Sequence, residues 1–215
     1  MWNSIMLNFI DVKYSEISNC QLNDLFFLRK KSFKDRLNWL VKCKNNKEFD
    51  EYDNKDANYI LGFYKDRIIC GVRLIDMMNA NMIKGEFNKY FKKIDLPNGN
   101  YIDASRLFVD KDRTRQYKIN KYAISSMLFL SMIYYTRSYG YDGLCAIISH
   151  QMLIIFKRSG WNISIINKGF SEKKEIIYLI IMPIDLGNTF LLKKKILSKY
   201  KFDDHWPLTF YPDGM

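Results

Sequence analysis

Residues 144–149 (LCAIIS) limit the possible folds most strongly, because they contain no charged side chain and only one polar side chain. A strand of this composition is typical of burial on both faces, whereas a strand with one solvated face alternates apolar and polar residues. One helix is predicted before this strand in the chain, at residues 122–139 ahead of Gly140, and one after it, at residues 151–158 ahead of Gly160. We therefore expect a sheet that is covered by helices on both faces.

The remaining segments supply further elements of the same sheet. Two apolar runs joined by Lys65-Asp66 are typical of a β-hairpin. Strands are predicted at residues 7–12, 59–64, 67–75, 101–110, 161–167 and 176–182, and helices at 19–36 and 185–201. Residues 38–57 are predicted to form an acidic loop, and residues 111–121 a basic, mobile loop. With roughly seven strands and four helices, we expect an α/β (α+β) fold, a three-layer αβα sandwich around a mixed sheet.

The chain is expected to form a single domain over residues 1–215, with a core at about 7–183 and a basic helix and tail at 185–215. Its net charge is +11, from 34 Lys and Arg against 23 Asp and Glu. This charge predicts anionic partners, which are nucleic acid, a lipid surface or an acidic protein. The chain starts without the pattern of a signal peptide, and its most apolar segment, 123–135, is too short to insert into a membrane.

The cysteines and histidines exclude several classes of site. The two histidines, His150 and His205, are far apart, which argues against a His-based metal site or a Ser-His-Asp triad; no metal ligands are predicted. The cysteines are dispersed and contain no C-x-x-C pair, which favours a reducing compartment and a cytoplasmic location. They are Cys20, Cys43, Cys70 and Cys145.

A charged residue interrupts the apolar face of the first predicted helix. At helical spacing, the residues of that face are Leu22, Phe26, Arg29 and Phe33. Arg29 either extends out of the face into solvent, or is held inside it by carboxylates or a ligand.

Two strands repeat the same anomaly. Arg73 lies at an alternating position among apolar residues of segment 67–75, and Arg106 shares a predicted strand face with Ile102, Ala104 and Phe108. Each arginine could lie on a solvent-facing edge or close a salt bridge that only stabilises the fold. Because the acidic loop can supply Glu48, Asp50 and Asp53, we instead expect the three arginines to line one polar cleft. A cleft of both charges suits a small zwitterionic or cationic ligand.

Two aromatic residues follow this helix face in the chain. Phe33 and Trp39 could pack in the core, or they could form a platform for a planar base or a sulfonium cation.

Taken together, these residues resemble the acyl-homoserine-lactone synthase family, the LuxI-type autoinducer synthases of quorum-sensing bacteria. The family pattern is Arg, Phe, Trp, then Glu-x-Asp-x-x-Asp, an Arg on a strand, and an acidic residue two positions before Ser-Arg. The resemblance extends to about Pro183 and includes KRSGW at residues 157–161. The chain departs from the pattern at Asp103, where the family usually has Glu. The matching residues are Arg29, Phe33, Trp39, Glu48, Asp50, Asp53, Arg73, Ser105 and Arg106.

The resemblance implies an N-acyltransferase-like fold, with a splayed sheet and a pantetheine cleft between strands 101–110 and 144–149. It implies two substrates, S-adenosylmethionine and an acyl chain carried as a thioester on acyl carrier protein. The implied products are an N-acyl-homoserine lactone, methylthioadenosine and free carrier protein. S-adenosylmethionine is a substrate in this chemistry, so no metal or redox cofactor is expected.

Individual roles also follow from the resemblance. Asp103, Ser105 and Arg106 are expected at the catalytic centre. Asp103 is either the base for the substrate amine, directly or through a water, or a group that only orients Arg106 or the amine. The remaining members of the matching set, from Arg29 to Arg73, are expected to bind S-adenosylmethionine.

The acyl chain and its carrier are expected to use two further sets of residues. Because relatives that favour 3-oxo chains tend to have Thr at the position of Ala146, we expect an unsubstituted chain here. The basic set is expected to dock the carrier protein, although it could also be a generally solvated surface. The acyl-pocket residues are Met127, Leu128, Ala146, Ser149, Met152 and Trp161, and the docking residues are Lys111, Arg113, Arg115, Lys118, Lys121, Lys157 and Arg158.

Three alternatives remain from the sequence. The same fold could use acyl-coenzyme A as the donor. The charge alone would suit a nucleic-acid-binding module, although no helix-turn-helix, zinc spacing or RNP-like strand is found. A relative without catalytic activity could use the same charged set to sense a ligand.

Overall fold

The computed structural model describes residues 7–198 of the chain, and a mixed sheet forms its centre. Seven strands build this sheet in the order β1-β4-β5-β6-β7-β9-β8, while β2 and β3 pair only with each other. The strands found in the described range are β1 (Asn8–Lys13), β2 (Cys43–Lys44), β3 (Lys47–Glu48), β4 (Ala57–Tyr64), β5 (Arg67–Asp76), β6 (Tyr101–Val109), β7 (Gly143–Ser149), β8 (Ser164–Phe170) and β9 (Ile176–Pro183).

The sheet splays between β6 and β7. These two strands are parallel, and every other neighbouring pair in the sheet is antiparallel. The pairing of β6 with β7 covers only Tyr101 with Gly143, Ile102 with Leu144 and Asp103 with Cys145. Both strands continue past these positions, so they diverge towards their carboxyl ends and leave a split in the sheet.

Helices cover both faces, as the sequence predicts. The five α-helices between residues 7 and 198 are α1 (Asn19–Lys30), α2 (Lys111–Gln116), α3 (Ile124–Ser138), α4 (His150–Ser159) and α5 (Leu186–Leu197). On one face, Leu25 and Leu28 of α1 pack with Tyr59 of β4. On the other face, Phe129 of α3 and Phe156 of α4 pack with Trp161 in the larger core cluster. No helix of this range combines the length and apolar character that crossing a bilayer requires.

Capping residues explain where several helices begin. Ser18 and Gln21 form a capping box that starts α1. The prediction of a basic loop at 111–121 is wrong over its first half. The carboxylate of Asp110 accepts a hydrogen bond from the Asp112 N–H at 3.1 Å, and this cap starts α2.

The end of the first predicted helix also differs from a regular α-helix. After α1, the chain continues as a π-helix at Lys31–Arg36. Just beyond it, the Trp39 N–H donates to the carbonyl of Phe33 at 2.8 Å. The rings of Phe33 and Trp39 stack, with centroids 5.2 Å apart and planes 14° apart.

Two predictions for the carboxyl-terminal part of the chain, a strand and the last helix, differ from the structure in their bounds. The strand predicted at 161–167 begins three residues later, because Trp161 is buried and its indole N–H donates to the carbonyl of Pro183 at 2.8 Å. The last helix ends at Leu197, and residues 199–201 of its predicted range, like His205, lie outside the described residues.

Candidate active site

Arg29 of α1 does not reach solvent. Its side chain is buried, and its Nε donates to Glu48 Oε2 at 2.6 Å while Nη1 donates to Asp53 Oδ1 at 2.6 Å. Glu48 ends β3 and is itself fully buried. Of the two readings of this residue, the structure therefore supports an arginine held inside the helix face by carboxylates.

Arg73 of β5 binds carboxylates of residues 50–53, which we call the acidic turn. Its Nη1 donates to Asp50 Oδ1 at 2.6 Å and to Asp53 Oδ1 at 2.8 Å. Its Nε donates to the hydroxyl of Ser105 on β6 at 3.2 Å, which is the residue that pairs with it across the sheet. Arg73 thus connects the turn at residues 50–53 to the strand that carries Asp103 and Arg106.

Arg106 reaches the turn because of a β-bulge. Gly71 pairs with Phe108 and Arg73 with Ser105, so one residue of β5 lies opposite two residues of β6, and Arg106 has a φ of 55°. The predicted alternation is therefore wrong. The bulge turns Arg106 onto the α1 face with Asp103 and Ser105, whereas Ala104 packs on the α3 face.

In this conformation Arg106 bridges two carboxylates. Its Nε donates to Glu48 Oε1 at 3.0 Å and its Nη2 to Asp50 Oδ2 at 2.7 Å. Its Nη1 contacts the sulfur of Met82 at 3.3 Å. A non-glycine residue at positive φ inside a strand is strained, and here the ion pairs hold it in place.

The cluster of three arginines and three carboxylates is balanced in charge. Burial alone would raise the pKa of Asp53, but Arg29 and Arg73 hold that pKa below its usual range. Removing one partner would leave the others buried and unpaired, so the set is expected to act as a unit. Within residues 7–198, no group of three or more His, Cys, Asp or Glu is arranged to hold a metal ion.

Asp103 lies on β6 beside this cluster. Its side chain is buried, and its Oδ2 accepts a hydrogen bond from the Met82 N–H at 3.1 Å. Burial raises the pKa of Asp103 to about 6, against the opposing effects of Arg73 and the Met82 N–H. A carboxyl with such a pKa is suited to exchange a proton near neutral pH.

Two cavities meet at this group of residues. The first has a volume of about 190 Å³ and lies between the loop that carries Trp39, the acidic turn and the β8–β9 turn. The second, of about 70 Å³, fills the split between β6 and β7. The two cavities adjoin, because both are lined by Trp39, Met82, Phe87, Arg106, Ile147, Ile148 and Ser149.

The predicted site residues divide into those at a cavity and those behind it. Asp50 lines the first cavity and Phe33 the second. Neither cavity is lined by Arg29, Glu48, Asp53 or Arg73, which lie behind Asp50 and Arg106. Those predicted residues that line the second cavity are Phe33, Trp39, Asp103, Ser105, Arg106, Ala146, Ser149 and Met152.

The expected acyl pocket is only partly reproduced by this cavity. Met127, Leu128 and Trp161 are buried in the core on the α3 face and do not line it. Met132, Phe156 and Met182 line it instead. Sequence reasoning missed these three, because periodicity shows that Met132 and Phe156 are buried but not which side of the splayed sheet they face.

The expected docking residues differ in how exposed and how free of ion pairs they are. Lys111, Lys157 and Arg158 are exposed. Arg113 is not a free surface cation, because its two terminal nitrogens donate to the carboxylate of Asp24 at 2.7 and 2.6 Å. Since β6 and β7 are parallel, α2 and α4 both start at the edge of the sheet where the split opens.

A mixed sheet that splays between two parallel strands, with a buried carboxylate at the split, is an N-acyltransferase-like fold. The solved structure of BjaI, a CoA-dependent acyl-homoserine lactone synthase with SAM and isopentyl-CoA, matches it with a TM-score of 0.76. That match covers 97% of this chain and 94% of the other, at 18% identity.

Sequence comparison identifies the family within that class. The family model for autoinducer synthase matches residues 13–190. The chain is 54% identical over 184 residues to the acyl-homoserine-lactone synthase of Serratia liquefaciens, covering 85% of this chain and 92% of the relative. It is 47% identical over 211 residues to that of Pectobacterium parmentieri, covering 96% and 97%. The chain therefore belongs to the autoinducer synthase family and is an acyltransferase of the acyl-homoserine-lactone synthase type.

The buried position of Asp103 leads to a direct prediction. In protein labelled with ¹³C at aspartate carboxyl groups, one carboxyl resonance should titrate with a midpoint at about 6, because burial disfavours its ionised form. The resonance is assigned by its loss in Asp103→Asn. A midpoint at about 4, the value of a solvated aspartate, would contradict the burial described here.

Proposed function

We propose that this enzyme transfers an acyl chain from acyl carrier protein to the amine of S-adenosylmethionine and closes the lactone ring. The reaction releases methylthioadenosine and free carrier protein, and its product is a quorum-sensing signal. The adjoining cavities carry this proposal, since one offers charged groups of both signs and the other is largely apolar. They meet at Arg106, next to Asp103 and Ser105. The solved structure of BjaI, which has a similar fold, contains SAM together with isopentyl-CoA.

The first step is acyl transfer. An α-amine with a pKa of about 8 is mostly protonated at neutral pH, so it must lose a proton before it attacks the thioester carbonyl. Asp103 takes that proton, directly or through a water, and it is ionised above a pH of about 6. Collapse of the tetrahedral intermediate forms the amide and breaks the C–S bond. The second proton that the amine loses passes to the departing sulfur, and the carrier leaves as a free thiol. Backbone N–H groups of the splayed strands stabilise the oxyanion.

The second step is lactonisation. The carboxylate of the acylated substrate attacks its own γ-carbon and expels the neutral thioether methylthioadenosine from the sulfonium. The reaction is intramolecular, so the protein has only to hold the chain curled. Asp50 and Arg106 contact the charged groups of the substrate, and Trp39 faces its sulfonium, an interaction of about 0.5–2 kcal/mol. Phe33, which is stacked on Trp39, holds that ring in place. The other predicted binding residues, Arg29, Glu48, Asp53 and Arg73, act by holding these contact groups.

The acyl donor is proposed to be a carrier protein, which is acidic, rather than coenzyme A. Exposed cations on α2 and α4, at the edge where the split opens, support this choice. They are Lys111, Lys157 and Arg158. Both proteins would meet in the cytoplasm, and the four free cysteines support that location.

The function is tested by incubating the purified protein with S-adenosylmethionine and hexanoyl-carrier protein. Methylthioadenosine and hexanoyl-homoserine lactone should appear in equal amounts. Asp50→Asn should lower kcat/KM for S-adenosylmethionine roughly 10- to 150-fold, because it removes a charged hydrogen-bond partner. Asp56→Asn makes the same atomic change outside both cavities and should stay within about twofold.

A wild-type protein that releases no methylthioadenosine would refute the proposed reaction. Equal activity of Asp50→Asn and Asp56→Asn would refute the assignment of the site.

The donor is tested by comparing hexanoyl-carrier protein, hexanoyl-coenzyme A and hexanoyl-pantetheine. Carrier protein should give the highest kcat/KM. Lys157→Glu should lower that value roughly three- to tenfold at low salt and leave hexanoyl-pantetheine unaffected, because only the carrier is attracted by surface charge. The matched control is Lys55→Glu, an exposed lysine before β4 at the opposite edge of the sheet. A higher kcat/KM with coenzyme A would establish the alternative donor.

Ala146 leads to a prediction about the 3-position of the acyl chain, which can be unsubstituted or carry an oxo group. It lines the split between β6 and β7, and a methyl group there cannot donate a hydrogen bond to a 3-oxo group. Mass spectrometry of the culture medium should therefore find mainly unsubstituted acyl chains, and Ala146→Thr should raise the share of 3-oxo product. A dominant 3-oxo product from the wild-type enzyme would contradict this expectation.

A further inference from the structure

Tyr59 is a polar residue at the ion cluster that the pattern of matching residues does not include. It lies on β4, where 1% of its surface is exposed, and packs among apolar residues of the α1 face. Its hydroxyl donates to Asp53 Oδ1 at 2.5 Å. Burial raises the pKa of Tyr59, and the charge of Asp53 raises it further. The hydroxyl therefore keeps its proton and donates it in the hydrogen bond to Asp53.

Asp53 is the residue at which several contacts of the cluster converge. Besides Tyr59, its Oδ1 accepts hydrogen bonds from Arg29 Nη1 at 2.6 Å and from Arg73 Nη1 at 2.8 Å. Its Oδ2 accepts the backbone N–H of Asp50 at 2.8 Å. With its oxygens occupied in this way and no contact with either cavity, Asp53 is placed to orient Asp50 rather than to bind a ligand.

Asp50 transmits this arrangement to the cavity. Its carboxylate lines the first cavity and accepts hydrogen bonds from Arg73 Nη1 at 2.6 Å and from Arg106 Nη2 at 2.7 Å. A rotation of Asp53 would release the Asp50 N–H and move the carboxylate that faces the substrate. The two arginine side chains are long and could follow such a rotation, whereas the Tyr59 ring extends from a strand of the sheet. As a third donor to the oxygen that the two arginines share, the Tyr59 hydroxyl fixes the plane of the Asp53 carboxylate.

We propose that Tyr59 is a positioning residue of the S-adenosylmethionine site, which acts through Asp53 on Asp50 and Arg106. The proposal rests on the proposed binding of S-adenosylmethionine in the first cavity. It assigns Tyr59 no contact with substrate. The loss of its hydroxyl is therefore expected to weaken recognition of S-adenosylmethionine without affecting the acyl donor.

The test is Tyr59→Phe, which removes one oxygen atom and retains the packing of the ring. The KM for S-adenosylmethionine should rise roughly five- to fiftyfold, as expected for the loss of one hydrogen bond to a charged group. The KM for the acyl donor should change by less than about twofold. Tyr141→Phe is the matched control, since its hydroxyl donates to Asp76 Oδ2 at 2.9 Å away from both cavities.

Two further measurements separate positioning from simple stabilisation. Asp53→Asn should weaken binding of S-adenosylmethionine, and Tyr59→Phe added to it should have little further effect, because both act through the same contact. Calorimetric titration with S-adenosylmethionine, without an acyl donor, measures binding independently of turnover. A loss of Tm in Tyr59→Phe with unchanged binding would overturn the proposal, whereas a wild-type protein that does not bind S-adenosylmethionine would overturn the proposed function itself.

Discussion

The burial of three guanidinium groups is the constraint on which the site depends. Arg29 and Arg73 are completely buried, and an unpaired charge in such a position costs several kcal/mol. The carboxylates that compensate them come from residues 48–53, which run from the end of β3 into the turn before β4. That segment therefore has to lie against the sheet in one arrangement, and two of the charged groups that stabilise it, Asp50 and Arg106, also line the first cavity. In the proposed function, the ion pairs that stabilise the fold therefore also position the groups that recognise the substrate.

The site depends on the splayed sheet as well as on the buried ion pairs. Because β6 and β7 pair over only three positions, a cavity opens between their carboxyl ends without a break in the core. The bulge at Arg106 brings three polar residues of the strand, Asp103, Ser105 and Arg106, to one face. A regular strand would place Arg106 on the opposite face, among the apolar residues that pack with α3. The strain of its backbone is compensated by Glu48 and Asp50.

The sequence allowed the sheet and its helices to be predicted, because hydrophobic periodicity is a local signal. The convergence of the charged residues was predicted from the cost of burying an unpaired charge and from the family pattern. The sequence did not reveal the bulge, since the alternation around Arg106 contains no glycine or proline to mark it. It also did not separate Asp50, at the cavity, from Asp53 behind it, because both fit the same motif. Arg113 was grouped with surface cations, although Asp24, far away in the chain, binds it. Such assignments need distances between segments, which periodicity does not contain.

The balanced cluster would also allow one chain to suit the two proposed partners, which differ in charge. The three arginines and three carboxylates cancel, so the net charge of +11 resides on the rest of the chain. In the proposed reaction, a cationic substrate enters the first cavity, whose lining contains more carboxylates than cations, while the exposed cations beside the split attract an acidic carrier. Without Asp50 or Glu48, the guanidinium of Arg106 at this cavity would keep only one of its two carboxylate partners and would be less favourable for a sulfonium. The acidic turn thus separates the two kinds of recognition within a basic protein.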